Sequence, residues 1–102
     1  MNIEVTKEDI KKGIRLDCDR CAISQALKRH FKTDNVSTEL DGGDIVLTVG
    51  SKVFSVGYQY ESDVLDFIYD FDQVDGWSKV EPIEFELIET FPGDTQEIRE
   101  AQ

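Results

Sequence analysis

The chain has 102 residues, with 11 Lys+Arg against 22 Asp+Glu and a formal net charge of −11, a length that suits one domain rather than two. Hydrophobic residues make up 39%, and six Phe, three Tyr and one Trp can fill a small core, so composition places the chain among globular proteins. The apolar runs are too short for a membrane-spanning helix, no cationic and apolar leader precedes the fold, and two cysteines point to a reducing, cytoplasmic setting rather than a disulfide scaffold.

Residues 2–5 alternate polar and apolar, as a short strand does. Thr6 is placed to cap a helix opening at Lys7, with Glu8 and Asp9 in its acidic first turn. Gly13, after two lysines, reads as the stop of that short helix. A second helix follows, with Asp17 or Asp19 as its cap and Ile23, Ala26, Leu27, His30 and Phe31 as one apolar stripe at helical spacing. Three strands are expected next. Val36–Leu40 and Ile45–Val49 flank the turn Asp41-Gly42-Gly43-Asp44, and Gly50-Ser51-Lys52 leads into Val53–Tyr58. A third helix opens near Ser62 and docks Val64, Phe67, Ile68 and Phe71, with Gly76 ending the pattern. Ile83, Phe85 and Leu87 then alternate with Glu84 and Glu86 in a last strand. The expected fold is α+β, a single domain over 1–92: an antiparallel sheet of four or five strands, with a meander at about 36–58 and two or three helices mainly on one face. Residues 93–102 are polar, lack a core pattern and are expected to form a flexible tail.

Charge is segregated along the chain. Residues 1–32 carry eight bases and five acids, a net of +3, whereas residues 33–102 carry three bases and seventeen acids, a net of −14. Such a surface repels nucleic acid and anionic membranes and attracts basic proteins. Asp63, Asp66 and Asp70 recur at i, i+3 and i+7 and line one ridge of the third helix, with Asp72 and Asp75 extending the charge toward its C-terminus. Acids are unfavourable there, because the helix dipole is negative at that end. Glu81, Glu84 and Glu86 form a second group, the last two on one strand face. Alternate strand residues lie roughly 6–7 Å apart, close to the spacing of successive phosphates. Asp63, Asp66, Asp70, Asp72, Asp75, Glu84 and Glu86 are therefore the candidate partner-binding residues, with a solvated helix and sheet face as the alternative explanation of the same charges. Tyr58, Tyr60, Tyr69 and Trp77 are candidate anchors among the carboxylates, or closures of the core at the sheet edge.

Cys18-Asp-Arg-Cys21 invites two other readings. At a helix start, the dipole and Arg20 would lower a thiol pKa and favour thiol chemistry, but a thioredoxin-type site also needs a strand of a parallel βαβ layer leading into it. A structural zinc site needs four ligands, and Cys18, Cys21 and His30 supply three. The preferred reading packs Cys21 as a small core residue near the helix start, leaves Cys18 part-exposed, and requires no cofactor. His30 has no nucleophile at a recognisable catalytic spacing, and Gly42-Gly43 lies in a hairpin rather than before a helix, so neither a triad nor a phosphate loop is indicated.

Five segments carry a resemblance: Ile3-Glu-Val-Thr-Lys-Glu-Asp-Ile-Lys-Lys-Gly13, Cys18-x-x-Cys21-Ala-Ile-Ser-Gln-Ala-Leu27, the Val49-Gly-Ser-Lys-Val53 hairpin, Phe67-Ile-Tyr-Asp-Phe-Asp72 and Glu81-Pro-Ile-Glu-Phe-Glu-Leu87. On these the chain resembles a group of small phage and prophage proteins without an assigned activity. The resemblance implies one compact domain and a phage-like origin in the host cytoplasm, and it transfers no catalytic residue. Small acidic phage proteins are similar, in charge and size, to DNA mimics that block host nucleases, repair enzymes or defence complexes. The expected function is thus a non-catalytic acidic inhibitor whose carboxylate surface binds a basic site on a host protein, with no direct contact to nucleic acid or membrane. A thiol or zinc protein built on Cys18 and Cys21 is the alternative.

Overall fold

The computed structural model describes residues 1–90; the expected tail, 93–102, lies outside the described residues. The chain runs β1 (Asn2–Val5), α1 (Lys7–Lys12), α2 (Ala22–Phe31), β2 (Val36–Asp41), β3 (Asp44–Val49), β4 (Lys52–Val56), a 3₁₀ turn at Tyr58–Tyr60, α3 (Glu61–Phe71), a second 3₁₀ turn at Gly76–Ser78 and β5 (Ile83–Thr90). The five strands form one antiparallel sheet in the order β1-β5-β4-β3-β2. This is the expected α+β domain, and the expected meander continues from β2, β3 and β4 into β5.

Strand alternation decides which face is dry. Ile3 and Val5 on β1, Phe85 and Leu87 on β5, Phe54 and Val56 on β4, Leu47 and Ile45 on β3 and Val36 on β2 share the inner face and are buried. Three helices cover that face with Ile10, with Ile23, Ala26 and Leu27, and with Val64, Phe67 and Phe71. The opposite face is left to solvent, as antiparallel sheets allow. There Glu84 pairs across the ladder with Glu4, and Glu86 with Asn2.

Local chemistry sets the element ends. Thr6 caps α1 as expected, and Asp9 completes a reciprocal box: the Thr6 N–H donates to Asp9 Oδ2 at 2.9 Å and the Asp9 N–H to Thr6 Oγ1 at 3.2 Å. Gly13 does end this helix, but with an extended backbone (φ −68°, ψ 148°) rather than a left-handed one. A Cβ at Gly13 would meet Ala22 N at 2.6 Å and Phe71 Cζ at 2.8 Å. Glycine stands there because α2 and α3 press against it. At the Gly42-Gly43 hairpin, by contrast, both residues have positive φ (61° and 93°), the geometry a two-residue hairpin turn demands.

Several expectations are corrected. Neither Asp17 nor Asp19 caps α2. The helix begins only after Cys21, and the Asp17 carboxylate instead accepts the N–H groups of Asp19 and Arg20 in the preceding turn. His30 is exposed beside the stripe, and in its place Ser24 is fully buried. β4 stops at Val56, because Gly57 leaves the sheet into the 3₁₀ turn that delivers Tyr60, not Ser62, as the residue before α3. That helix ends at Phe71, five residues short of Gly76, which opens the second 3₁₀ turn.

Candidate functional site

The acidic ridge on α3 forms as the spacing requires. Val64, Phe67 and Phe71 turn into the core, and Asp63, Asp66 and Asp70 are left exposed on one side of the helix. The chain then returns through the 3₁₀ turn at Gly76, where a Cβ would collide with the carbonyls of Asp70 and Phe71, and runs back along the ridge into β5. This return brings the two acidic groups of the sequence together. Asp63, Asp66 and Asp70 from α3 and Glu81 and Glu84 from the following segment line one open depression of about 390 Å³. Lys79 lines it as well, a cation that no local sequence pattern marks. Asp63, Asp66, Asp70 and Glu81 against one lysine leave the depression negative, with the Glu84 side chain at its edge turned to the open face of the sheet, a field suited to a basic ligand surface.

The other candidate carboxylates go elsewhere. Asp72 is half-buried on the far side of α3, where its Oδ1 accepts the Leu16 N–H at 3.0 Å and its carbonyl accepts Arg15 Nη1 at 2.9 Å. It ties the loop before α2 to the end of α3. Asp75 is exposed in a left-handed turn (φ 61°), outside the helix that was expected to carry it. Glu86 lies half-buried on the open sheet face, packed close to Gly57. Among the aromatics, Tyr58, Tyr69 and Trp77 are exposed, whereas Tyr60 packs against the core.

The cysteine pair lines a second and different cavity, of about 260 Å³. Its walls are mainly apolar: Leu16, Ile23, Leu40, Phe67, Ile68 and Phe71. The loop that holds Cys18 is pinned by its own carbonyl, which accepts the Thr38 N–H at 2.9 Å and the Ser24 hydroxyl at 2.6 Å. Ser24 and Thr38 also bond one another at 2.7 Å, so the two buried hydroxyls satisfy each other. Cys18 is exposed and Cys21 half-buried, both as free thiols. Desolvation by the neighbouring protein, followed by Glu39, Cys21, Asp19 and Asp17, pushes the Cys18 thiol above its usual pKa. Thiol chemistry would need the lowered pKa that a helix start and Arg20 could supply, whereas Cys18 lies before the helix, among carboxylates. The strands around it are antiparallel, unlike a thioredoxin layer. Among the described residues no three His, Cys, Asp or Glu side chains stand together as a metal site, and exposed His30 does not join the thiols.

No family model, no curated protein and no solved structure matches this chain significantly. No helix among the described residues is long and apolar enough to cross a membrane.

One buried charge was missed in the sequence. Asp9 is 4% exposed, and Arg29, from what reads as the polar side of α2, reaches its Oδ2 at 2.8 Å while donating to the Glu4 carbonyl at 2.7 Å. The available signal was Thr6-x-x-Asp9, a capping box with aspartate in place of the commoner glutamate. Nothing in the local pattern pointed to Arg29, twenty residues away.

Proposed function

We propose that the protein is a non-catalytic, acidic interaction protein, phage-encoded as its sequence resemblance implies, that occupies a basic site on a host protein in place of nucleic acid. The observation that carries this reading is the convergence of Asp63, Asp66, Asp70, Glu81 and Glu84 from two chain segments on one open depression. Repelling acids three and four residues apart cost a helix a few tenths of a kcal/mol per pair, roughly, and α3 has no basic residue in its last turn to offset them. A folding requirement would not collect them there. A surface that presents negative charge at regular intervals would, and exposed Tyr69 beside it supplies an apolar contact.

The test is capture of bacterial lysate proteins on the immobilised chain, followed by elution with a DNA duplex or with an uncharged polymer of equal mass. A mimic of nucleic acid holds basic proteins that the duplex displaces and the uncharged polymer does not. Direct binding of the same duplex by the chain at physiological salt, or retention of the captured proteins against excess duplex, contradicts the reading. The partners expected are nucleic-acid-binding proteins, met through steering by the summed field.

A further inference from the structure

The cavity beside the cysteine loop lies on the opposite flank of α3 from the acidic ridge, with Phe67 the wall common to both. Its chemistry is different. It is lined by buried Ile23, Phe67 and Phe71 and by the more exposed Leu16, Leu40 and Ile68. The titratable groups that line it are Asp17, Glu39 and Asp72 together with the two thiols; among the described residues no lysine or arginine lines it. A mainly apolar hole of about 260 Å³, comparable to a large aromatic side chain, therefore opens inside a negative rim. Leu16 adds an independent mark. It is 70% exposed and held at φ 60°, a left-handed conformation that strains a leucine, and the Asp72 carboxylate and Arg15 fix it there. A bulky apolar residue is thus kept in a strained backbone at the lip of an apolar cavity, where glycine would sit without strain and water gains nothing from it.

We propose that this cavity is the seat of an aromatic or large aliphatic side chain flanked by lysine or arginine on a partner polypeptide. The apolar group fills the hole, Leu16 closes over it, and the flanking cations meet Asp17, Glu39 and the free oxygen of Asp72. Burying one such anchor in a desolvated pocket is the way protein interfaces concentrate their affinity. The inference rests on the proposed function only in taking the partner to be basic, and it adds the sequence feature by which the partner is recognised.

The probe is the blocked tripeptide acetyl-Lys-Trp-Lys-amide, titrated into the isotope-labelled chain while the amide signals of Leu16, Ile23 and Ile68 are followed by NMR. Saturable shifts confined to this cavity are expected, with acetyl-Glu-Trp-Glu-amide and acetyl-Lys-Ala-Lys-amide at least about tenfold weaker. Leu16→Gly relieves the strained backbone, so the fold is kept or strengthened, yet peptide affinity falls about tenfold with the lost apolar cover. Ile68→Ala gives a second, independent loss of affinity. Absence of shifts at these residues, equal binding of the acidic or the alanine peptide, unchanged affinity in Leu16→Gly, or free tryptamine binding as tightly as the tripeptide each overturns the proposal; the last assigns the cavity to a small amine. No ridge residue is altered in these variants, so this outcome and that of the acidic-ridge reading are separable.

Discussion

Asp9 shows how one buried carboxylate is kept charged. Burial alone raises its pKa, but hydrogen bonds from Arg29 and from the Thr6 backbone and hydroxyl, with the Arg29 charge, outweigh burial and leave the pKa below the ordinary aspartate value of 3.8. A pKa depressed on folding stabilises the folded state in full above the unfolded value, and that contribution is lost as pH falls through the folded one. Asp9→Asn is therefore expected to lower stability by roughly 1–3 kcal/mol at neutral pH. Denaturant unfolding measured at a series of pH values should show the gap between variant and parent constant above about pH 5 and shrinking below about pH 4. A gap that does not change with pH would mean that shape, not charge, matters at this site. The thiols behave differently. Cys21 packs against the core with its Sγ 3.6 Å from Ser24 Oγ, and Cys18 is exposed with a raised pKa. Cys18→Ser with Cys21→Ser is expected to leave a folded domain, and the purified parent to hold no stoichiometric metal. Elemental analysis finding about one zinc per chain, or unfolding by a chelator, would return the protein to the metal-binding class.

The elements divide by the range of the interactions that shape them. The first strand, the Thr6 cap, the glycine hairpin and the buried stripe of α3 were all legible in the sequence, because alternation, capping and turn geometry act over a few residues. The start of α2, the identity of the residue before α3 and the end of that helix were not. Asp17 and Ser62 are good caps in isolation, but the cysteine loop must pack against β2 at Thr38, and the 3₁₀ turn after Gly57 already supplies the approach to α3. The candidate site divides in the same way. The Asp63, Asp66 and Asp70 ridge follows from helical spacing, whereas its meeting with Glu81 and Glu84, the departure of Asp72 to the opposite flank and the apolar cavity beside the cysteines depend on tertiary contacts. Gly13 illustrates the point for stability. Its local role as a helix stop is compatible with alanine, since φ is negative, but its contact with Ala22 and Phe71 is not. Gly13→Ala should lower the melting temperature by several degrees through forced separation of α1, α2 and α3, a change of roughly 1–3 kcal/mol. An unchanged melting temperature would mean that the three helices give way at no cost.

At the scale of the whole molecule, charge is distributed between surfaces. Five of the eight bases of the first 32 residues fall on α1 and α2, and most acids of the described later segments fall on α3, the return to β5 and the open face of the sheet. The net charge of −11 favours encounter with basic proteins and disfavours nucleic acid, and the asymmetry orients the encounter toward α3. Under the proposed function, stability and recognition make opposite demands on that helix, and this contrast allows a decisive measurement. Asp63→Lys, Asp66→Lys and Asp70→Lys in one chain relieve like-charge repulsion, with the last also turning an unfavourable helix-end charge into a favourable one. Partner association, followed by surface-based kinetics with the basic proteins captured from lysate across a salt series, is then compared with the melting temperature of the same variant. The account predicts association abolished, on-rates falling first and high salt reproducing the loss in the parent chain, while the melting temperature holds or rises. Lost stability with unchanged association would contradict it, and would make the carboxylates of α3 part of the fold rather than of an interface.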